Sequence, residues 1–261
     1  MMLHSAEPVT PSPSATLILT RDPGSGLQVY LLRRSRASGF MPGAWVFPGG
    51  NLEADDRDVD FWGRQSDMPV ERLPGLLGGP PTQMLPFAVA AIRETWEEAG
   101  LLLAEPRAAG TRPDPAARHG RLFSRQVRAQ GLRLKLSRLA PWHHWITPEL
   151  SPRRFDTYFF TAIVDADQSC TPDHHEVVEG IWTTPRQALT ENHRGRLPLS
   201  APTLVTLHQL LRFADLDRLT AELRNRSWPE AIMPRMWPLE NGFLIIAPWD
   251  PDYASTGVAV A

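Results

Sequence analysis

Three glutamates near the end of one predicted helix are the residues best suited to chemistry in this chain. Glu94, Glu97 and Glu98 stand at i, i+3 and i+4, so a helix presents them on one side. Like charges at this spacing repel, and Gly100 predicts that the helix ends just beyond them, where its dipole also disfavours anions. Because the cluster opposes local stability, it indicates a function. Holding a hard divalent cation such as Mg²⁺ through oxygen ligands is the simplest one.

A pair of glycines supports this interpretation. The apolar run 44–46 predicts a short strand, and it leads into Phe47, Pro48, Gly49 and Gly50. Two glycines after a strand allow a tight turn or a close approach of the backbone to a ligand. Glutamate pairs on helices are most often solvated surface. A glycine pair and an acidic helix in the same chain favour a metal or phosphate site over that alternative.

Together the two elements resemble the signature of Nudix hydrolases. The match comprises the glycine pair and the helix sequence Arg93-Glu94-x-x-Glu97-Glu98-x-Gly100. The usual signature has an isolated glutamate between these parts. Counting back from Arg93 puts Leu85 at its position, and counting forward from Gly50 puts Asp56 there. Both counts hold if a long insertion occupies about residues 56–82, and we expect that insertion to shape the substrate pocket.

Within the Nudix family the chain is similar to the branch typified by the peroxisomal coenzyme A diphosphatase of animals. The matching stretches are 43–50, 91–102 and 142–160, and the resemblance covers about residues 14–250. It implies an α/β/α sandwich with a mixed sheet, and Mg²⁺- or Mn²⁺-dependent hydrolysis of a nucleoside diphosphate linked to another group. Coenzyme A or an acyl-CoA is the leading substrate. ADP-ribose or a nucleotide sugar is the rival, and a catalytically silent, nucleotide-sensing Nudix domain is an alternative of another class.

The resemblance also implies roles for individual residues. Glu94, Glu97 and Glu98 would be metal ligands, and Arg93, four residues before Glu97, could restrain that carboxylate. One carboxylate without a metal must accept the proton of the attacking water. Glu98 is one candidate for this base, and Glu176, in a loop before a predicted strand, is the other.

Several arginines could contact the phosphates of such a substrate. Gly49 and Gly50 would let the backbone approach the metal or a phosphate. Bidentate contacts to phosphate could come from two basic groups, Arg33-Arg34 with Arg36, and Arg153-Arg154. Either group could equally be a solvated strand end.

Two further groups of residues have competing interpretations. Zinc could use His143, His144, His174, His175 and Cys170, but their spacing fits no closed Cys/His site. Trp142 and Trp145 could stack on a base, although aromatic residues of this kind are more often core.

The remaining pattern predicts the elements that must position these residues. Strands are expected at 15–20, 27–32, 44–47, 156–164 and 180–183, with helices from Pro86, over 121–130, from Pro185 and over 202–224. We therefore divide the chain into a flexible tail at 1–13, a Nudix domain at 14–200, and a C-terminal helix and wrapping tail at 201–261. The leucine stripe of the last helix predicts core or the face of a possible homodimer.

Composition excludes several other classes. A formal charge of −2 provides no basic field for nucleic acid. The single Cys170 excludes an internal disulfide framework and suits a reducing compartment, so we expect a cytoplasmic protein. No apolar run reaches the length of a membrane span. The expected partner is a small-molecule nucleotide substrate, with neither nucleic acid nor membrane.

Overall fold

The computed structural model describes residues 8–107, 118, 122–224, 226–240 and 242–254. The strands are β1 (Ser12–Arg21), β2 (Gln28–Arg34), β3 (Trp45–Val46), β4 (Gly49–Asn51), β5 (Ala104–Pro106), β6 (Leu132–Leu134), β7 (Leu139–Ile146), β8 (Phe155–Ile163), β9 (Val177–Thr183), β10 (Arg235–Leu239) and β11 (Gly242–Ile246). The helices are α1 (Val59–Arg64), α2 (Leu73–Leu77), α3 (Pro81–Ala99), α4 (Phe123–Ala129), α5 (Pro185–His193), α6 (Ala201–Leu210) and α7 (Leu216–Leu223). Residues 1–7 of the predicted tail lie outside the described residues.

A mixed sheet forms the centre of the fold. Its strand order is β3-β2-β1-β8-β7, with β4 also paired to β1 and β9 to β2. The β1–β8 pair is parallel, whereas β1–β2, β1–β4, β2–β3, β2–β9 and β7–β8 are antiparallel. The central strand β1 therefore places its start beside β4 and β8 together.

Helices cover both faces of the sheet, as the α/β/α prediction requires. Side chains of a strand alternate between faces, and on β1 Leu17 and Leu19 pack towards α1, α2, α3 and α4. Ile18 between them packs with Trp142 and the residues of α5, α6 and α7. Both faces of β1 are buried, which explains its nearly continuous apolar sequence.

The structure corrects two predicted elements and adds a strand and a hairpin that the sequence did not predict. Helix α3 begins at Pro81, so Pro86 lies inside it rather than in its first turn. The helix predicted over 202–224 is two helices, α6 and α7. Strand β7 was not predicted from the sequence, and the Pro/Trp-rich C-terminal stretch contains the hairpin of β10 and β11. None of the helices described is long and apolar enough to cross a membrane.

Candidate active site

The three glutamates lie in the last two turns of α3, where the sheet edge at β4 covers the helix. The helix ends at Gly100, which has a left-handed φ of 66° and donates its N–H to the carbonyl of Trp96. Glu98 is 4% exposed. The side chains of Glu94 and Glu97 are 15% and 28% exposed. The carboxylates are thus buried to different degrees, and Glu98 is the deepest.

Arg93 connects these carboxylates to the loop after β4. Its guanidinium makes two hydrogen bonds to the Asp56 carboxylate, from Nε (3.0 Å) and Nη2 (2.9 Å). Its Nη1 donates to Glu94 at 2.9 Å and to Glu97 at 2.8 Å. Nη2 also donates to the carbonyl of Asn51 at 2.8 Å. Because Arg93 and Asp56 are almost completely buried, this pair fixes how the end of α3 sits against β4.

Asp56 is the residue that the forward count of the signature places at the isolated acidic position. Its carboxylate is fully buried, and it also accepts the backbone N–H of Glu53 at 2.8 Å. The sequence located this residue but did not identify its partner. The partner, Arg93, is 37 positions away and is brought to it only by the folded insertion.

The two glycines are required by contacts within the protein. A Cβ on Gly49 would lie 2.5 Å from the carbonyl oxygen of Ala15 on β1. A Cβ on Gly50 would lie 2.4 Å from a carboxylate oxygen of Glu94. The N–H of Gly49 donates to Glu98 at 2.9 Å. The glycine pair therefore lets β4 pass directly over two of the three glutamates.

The acidic groups of this cluster are only partly compensated by Arg93 and the Gly49 N–H, so their pKa values are raised. Burial raises the pKa of Glu98 well above 4.5, and nearby Glu94 raises it further, while the Gly49 N–H opposes the rise. Burial raises the pKa of Glu94 to about 7, against the attraction of Arg93. The pKa of Glu97 is also raised, by burial first. A cation bound here would relieve this energetic cost.

Glu176 approaches the same place from the loop before β9. The backbone N–H groups of Thr171 and Asp173 donate to the carbonyls of Ala99 and Glu98, which ties the loop to the end of α3. The Asp173 carboxylate accepts the N–H of Glu176 at 3.3 Å. The Glu176 carbonyl accepts the N–H of Ser35 at 2.9 Å. An exposed acidic side chain is thereby held beside a buried acidic cluster.

An open cavity of about 680 Å³ lies above these residues. One part of its wall is polar and carries Glu53, Arg93, Glu94, Glu97 and Glu176. The lining also includes apolar side chains, among them Phe40, Met41, Trp145, Ile146, Phe155, Pro234, Met236 and Ile245. Glu98 does not line the cavity, since it is buried behind β4. The sequence did not identify Phe40, Met41, Met236 or Ile245 as part of the site, because they come from segments far apart in the chain.

The structure separates the predicted arginines. Arg34 and Arg153 line the cavity, whereas Arg33, Arg36 and Arg154 do not. Arg33 pairs with Glu179 at 3.3 Å. Arg154 is buried and donates to the carbonyls of Thr147 and Val9. We therefore assign no phosphate contact to Arg33, Arg36 or Arg154.

The insertion does not form the cavity wall that we expected. No residue of 56–82 lines the cavity. Instead Trp62, Leu73 and Leu77 are fully buried in the core beside α3. The insertion thus supports the outer side of the acidic helix, and its Asp56 fixes Arg93.

His143 and His144 are engaged in other contacts. His143 is buried and hydrogen-bonds Gln209 at 2.7 Å, and burial lowers its pKa to about 4. The ring of His144 stacks on Tyr158. In the part of the chain that the structure describes, no group of three His, Cys, Asp or Glu residues is arranged to hold a metal, and this applies to the three glutamates as well.

The chain is similar to known proteins in both sequence and structure. The family model described as the NUDT19 Nudix domain matches residues 5–210. The chain belongs to the Nudix family. The Nudix chain is 30% identical over 274 residues to the acyl-coenzyme A diphosphatase NUDT19 of Xenopus laevis, covering 88% of this chain and 72% of that protein. The human protein of the same name is 30% identical over 277 residues, covering 88% and 73%. A crystal structure of a Nudix hydrolase from Alicyclobacillus acidocaldarius has a TM-score of 0.70 and 26% identity, covering 82% of this chain and 97% of that one.

Nudix hydrolases generally need a divalent metal, and the donors of this Nudix chain fit one. Glu94 and Glu97 each use one oxygen in bonding Arg93, and Glu98 uses one in bonding the Gly49 N–H. Among the residues described, the other oxygen of each carboxylate accepts no hydrogen bond. Three free carboxylate oxygens with raised pKa values suit a hard cation that prefers oxygen ligands. Arg93 holds two of these carboxylates in the structure, so their side chains would have to move to share one ion.

Proposed function

We propose that this Nudix hydrolase cleaves the diphosphate of coenzyme A or an acyl-CoA, giving 3′,5′-ADP and (acyl-)4′-phosphopantetheine. The observation that carries the proposal is one cavity lined by both acidic and apolar side chains. The acidic side chains suit a metal-bound diphosphate, and the apolar side chains suit a pantetheine arm or an acyl chain. The names of the Xenopus laevis and human relatives point to the same substrate class. We also propose a cytoplasmic location, from the single cysteine.

We propose Mg²⁺ or Mn²⁺ as the cofactor, held by Glu94, Glu97 and Glu98. When bound, the metal would neutralise the diphosphate oxygens and lower the pKa of a water molecule. Arg93 orients Glu94 and Glu97 through its two Nη1 hydrogen bonds. Gly49 and Gly50 let β4 lie close enough for its N–H to orient Glu98.

Glu176 is the general base in this proposal. The base must reach a water molecule in the open cavity, and Glu176 is exposed and lines it. Glu98 is 4% exposed and already accepts the Gly49 N–H, so it is better placed as a ligand. In the reaction the water oxygen bonds to one phosphorus and the anhydride P–O bond breaks. The other phosphate leaves with the bonding electron pair, and Glu176 accepts the proton of the water and releases it to solvent.

The adenosine 3′-phosphate distinguishes coenzyme A from ADP-ribose. Arg34 and Arg153 are cavity cations that could bind it. Arg34 already donates to Ser38 and to the carbonyl of Phe40, so its position is fixed. Arg153 is exposed and has no hydrogen-bond partner among the residues described. We assign the 3′-phosphate to Arg153, and we expect coenzyme A to be preferred over its 3′-dephospho form by roughly ten- to a hundredfold.

A substrate panel with Mg²⁺ or Mn²⁺, with products identified by mass, tests the substrate. Faster cleavage of ADP-ribose than of coenzyme A would support the nucleotide-sugar alternative. Binding without cleavage of any member would support the silent sensor. The panel is repeated with Arg153→Gln, which should remove the preference for the 3′-phosphate and leave 3′-dephospho-coenzyme A unaffected. Arg33→Gln is the matched control, because Arg33 lies outside the cavity.

The two candidate bases are separated by comparing activity with metal binding. Glu176→Gln should reduce kcat by a hundredfold or more, while Mg²⁺ still raises the melting temperature. Glu98→Gln should lose both activity and stabilisation by the metal. Full activity of Glu176→Gln would return the role of base to Glu98. Full activity in excess EDTA would remove the metal-dependent mechanism altogether.

A further inference from the structure

The hairpin of β10 and β11 exposes an unusual amount of apolar surface beside the cavity. Trp237, Leu239, Phe243, Leu244 and Ile245 are 39%, 56%, 55%, 50% and 55% exposed. A monomer that leaves several large apolar side chains of one short element in water marks that element as a binding surface. The proposed diphosphate chemistry does not use these residues.

The register of the hairpin sorts these residues onto two faces. Met236 pairs with Ile245, and Trp237 pairs with Leu244. Because side chains alternate along a strand, Phe243 lies on the same face as Ile245, about 7 Å further along β11. Leu244 and Trp237 lie on the opposite face. Met236 and Ile245 line the cavity, and Leu244 and Trp237 do not.

One face of the hairpin is therefore continuous with the substrate cavity. The same cavity wall contains Pro234, Met236 and Ile245 and, from β7, Trp145 and Ile146. The backbone of Ile232, just before the hairpin, bonds β7 through His144 and Ile146, at 2.8 and 2.9 Å. These bonds tie the segment that leads into the hairpin to β7, and the cavity face of the hairpin runs from Met236 and Ile245 to Phe243.

We propose that this face, defined by Met236, Phe243 and Ile245, binds the acyl chain of an acyl-CoA and makes the enzyme prefer long chains. The inference rests on the proposed coenzyme A diphosphatase function. It commits to an acyl chain because two of these residues, Met236 and Ile245, line the same cavity as the acidic residues. A second copy of the chain or a lipid surface bound through Trp237, Leu239 and Leu244 would lie on the other face, outside the cavity. A ligand that leaves the cavity would contact only the cavity face.

Neighbouring residues of β11 provide a matched test. Ile245→Asn and Leu244→Asn make the same kind of change at similar exposure, on opposite faces. Asparagine introduces no charge that could repel the substrate phosphates. The kcat/KM values are measured for free coenzyme A, acetyl-CoA and dodecanoyl-CoA, and thermal unfolding confirms that both variants fold. Sedimentation of the wild-type protein shows whether a second copy is bound.

The expected result is specific to the long chain and to one face. Full burial of an isoleucine side chain against an apolar group strengthens binding by about ten- to a hundredfold. Burial of a half-exposed isoleucine strengthens binding by about five- to tenfold. Phe243→Asn, on the same face but outside the cavity lining, should therefore lower kcat/KM for dodecanoyl-CoA and leave free coenzyme A within twofold. Ile245→Asn should lower kcat/KM for dodecanoyl-CoA about five- to tenfold more than for free coenzyme A. Leu244→Asn should leave all three substrates within twofold.

Other outcomes overturn the inference and separate it from the proposed function. Equal losses in Ile245→Asn and Leu244→Asn would show that the hairpin does not discriminate by face. Equal kcat/KM for free coenzyme A and dodecanoyl-CoA in the wild type would reject the acyl site while leaving the diphosphatase function intact. Failure of the wild type to cleave any coenzyme A species would instead reject the proposed function.

Discussion

Replacing Glu94 with glutamine should stabilise the metal-free protein at neutral and alkaline pH. Burial raises the pKa of Glu94 from 4.5 to about 7, with Glu97 adding to the rise and Arg93 opposing it. The unfolded chain ionises near 4.5, whereas the folded chain keeps its proton to about 7. The contribution of Glu94 to the free energy of unfolding is therefore most favourable below pH 4.5, and it is lost as the pH rises through 7. The difference between the two pKa values corresponds to about 3 kcal/mol at pH 8.

Glutamine removes this cost and keeps most of the local geometry. Its amide oxygen can still accept the Nη1 hydrogen bond of Arg93, which is 2.9 Å long in the wild type. Arg93 loses one of its negative partners, so about 3 kcal/mol is an upper value. For a chain of this size, each kcal/mol shifts the melting temperature by roughly 2–4 °C. We expect Glu94→Gln to melt about 4–10 °C above the wild type at pH 8, and the difference to shrink towards pH 5.

Thermal unfolding in excess EDTA at pH 5, 6.5 and 8 measures this effect. Glu179→Gln is the control, because Glu179 is half exposed in its pair with Arg33 and should change stability by less than about 0.5 kcal/mol. Adding Mg²⁺ should stabilise the wild type and much less the Glu94→Gln protein. If Glu94→Gln melted at or below the wild-type temperature at pH 8, the acidic cluster would not be a destabilising feature. A bound cation would then have no energetic cost to relieve, and the acidic cluster would not indicate a metal site.

Three further predictions follow from the contacts of the site. Asp56→Asn should destabilise the fold by about 3–5 kcal/mol in urea unfolding, because it leaves buried Arg93 without its two-bond partner; a loss below 1 kcal/mol would contradict this. Trp62→Ala should cost about 3–5 kcal/mol while leaving the ranking of coenzyme A and ADP-ribose unchanged in a turnover assay, because the insertion packs in the core and does not line the cavity; a changed ranking would restore the role first expected of it. Gly50→Ala should lower kcat by about a hundredfold or more, because its Cβ would displace the Glu94 carboxylate. The control Gly75→Ala has no atom within 4 Å of its Cβ and should keep wild-type activity.

Local sequence patterns predicted several strands of the sheet and the acidic helix, and the resemblance to Nudix hydrolases supplied the α/β/α fold class. Strand periodicity predicted β1, β2 and β8, and the i, i+3, i+4 spacing predicted that Glu94, Glu97 and Glu98 share one helix face. Gly100 marked the end of that helix correctly. These features are local, because a strand period, a helix face and a helix stop are each specified by neighbouring residues. The start of α3 was wrong because Pro86, a residue typical of a first turn, is tolerated inside a buried helix.

Tertiary packing sets which distant residues meet at the site. It pairs Arg93 with Asp56 across the insertion, brings Glu176 beside the end of α3, and adds Ile245 to the lining of the cavity that Glu94 and Glu97 also line. It also separated Arg153, which lines the cavity, from its neighbour Arg154, which is buried against backbone carbonyls. No local pattern distinguishes such residues. Their roles depend on strand register and on which segments pack together, and these follow from burying both faces of one sheet rather than from nearby sequence.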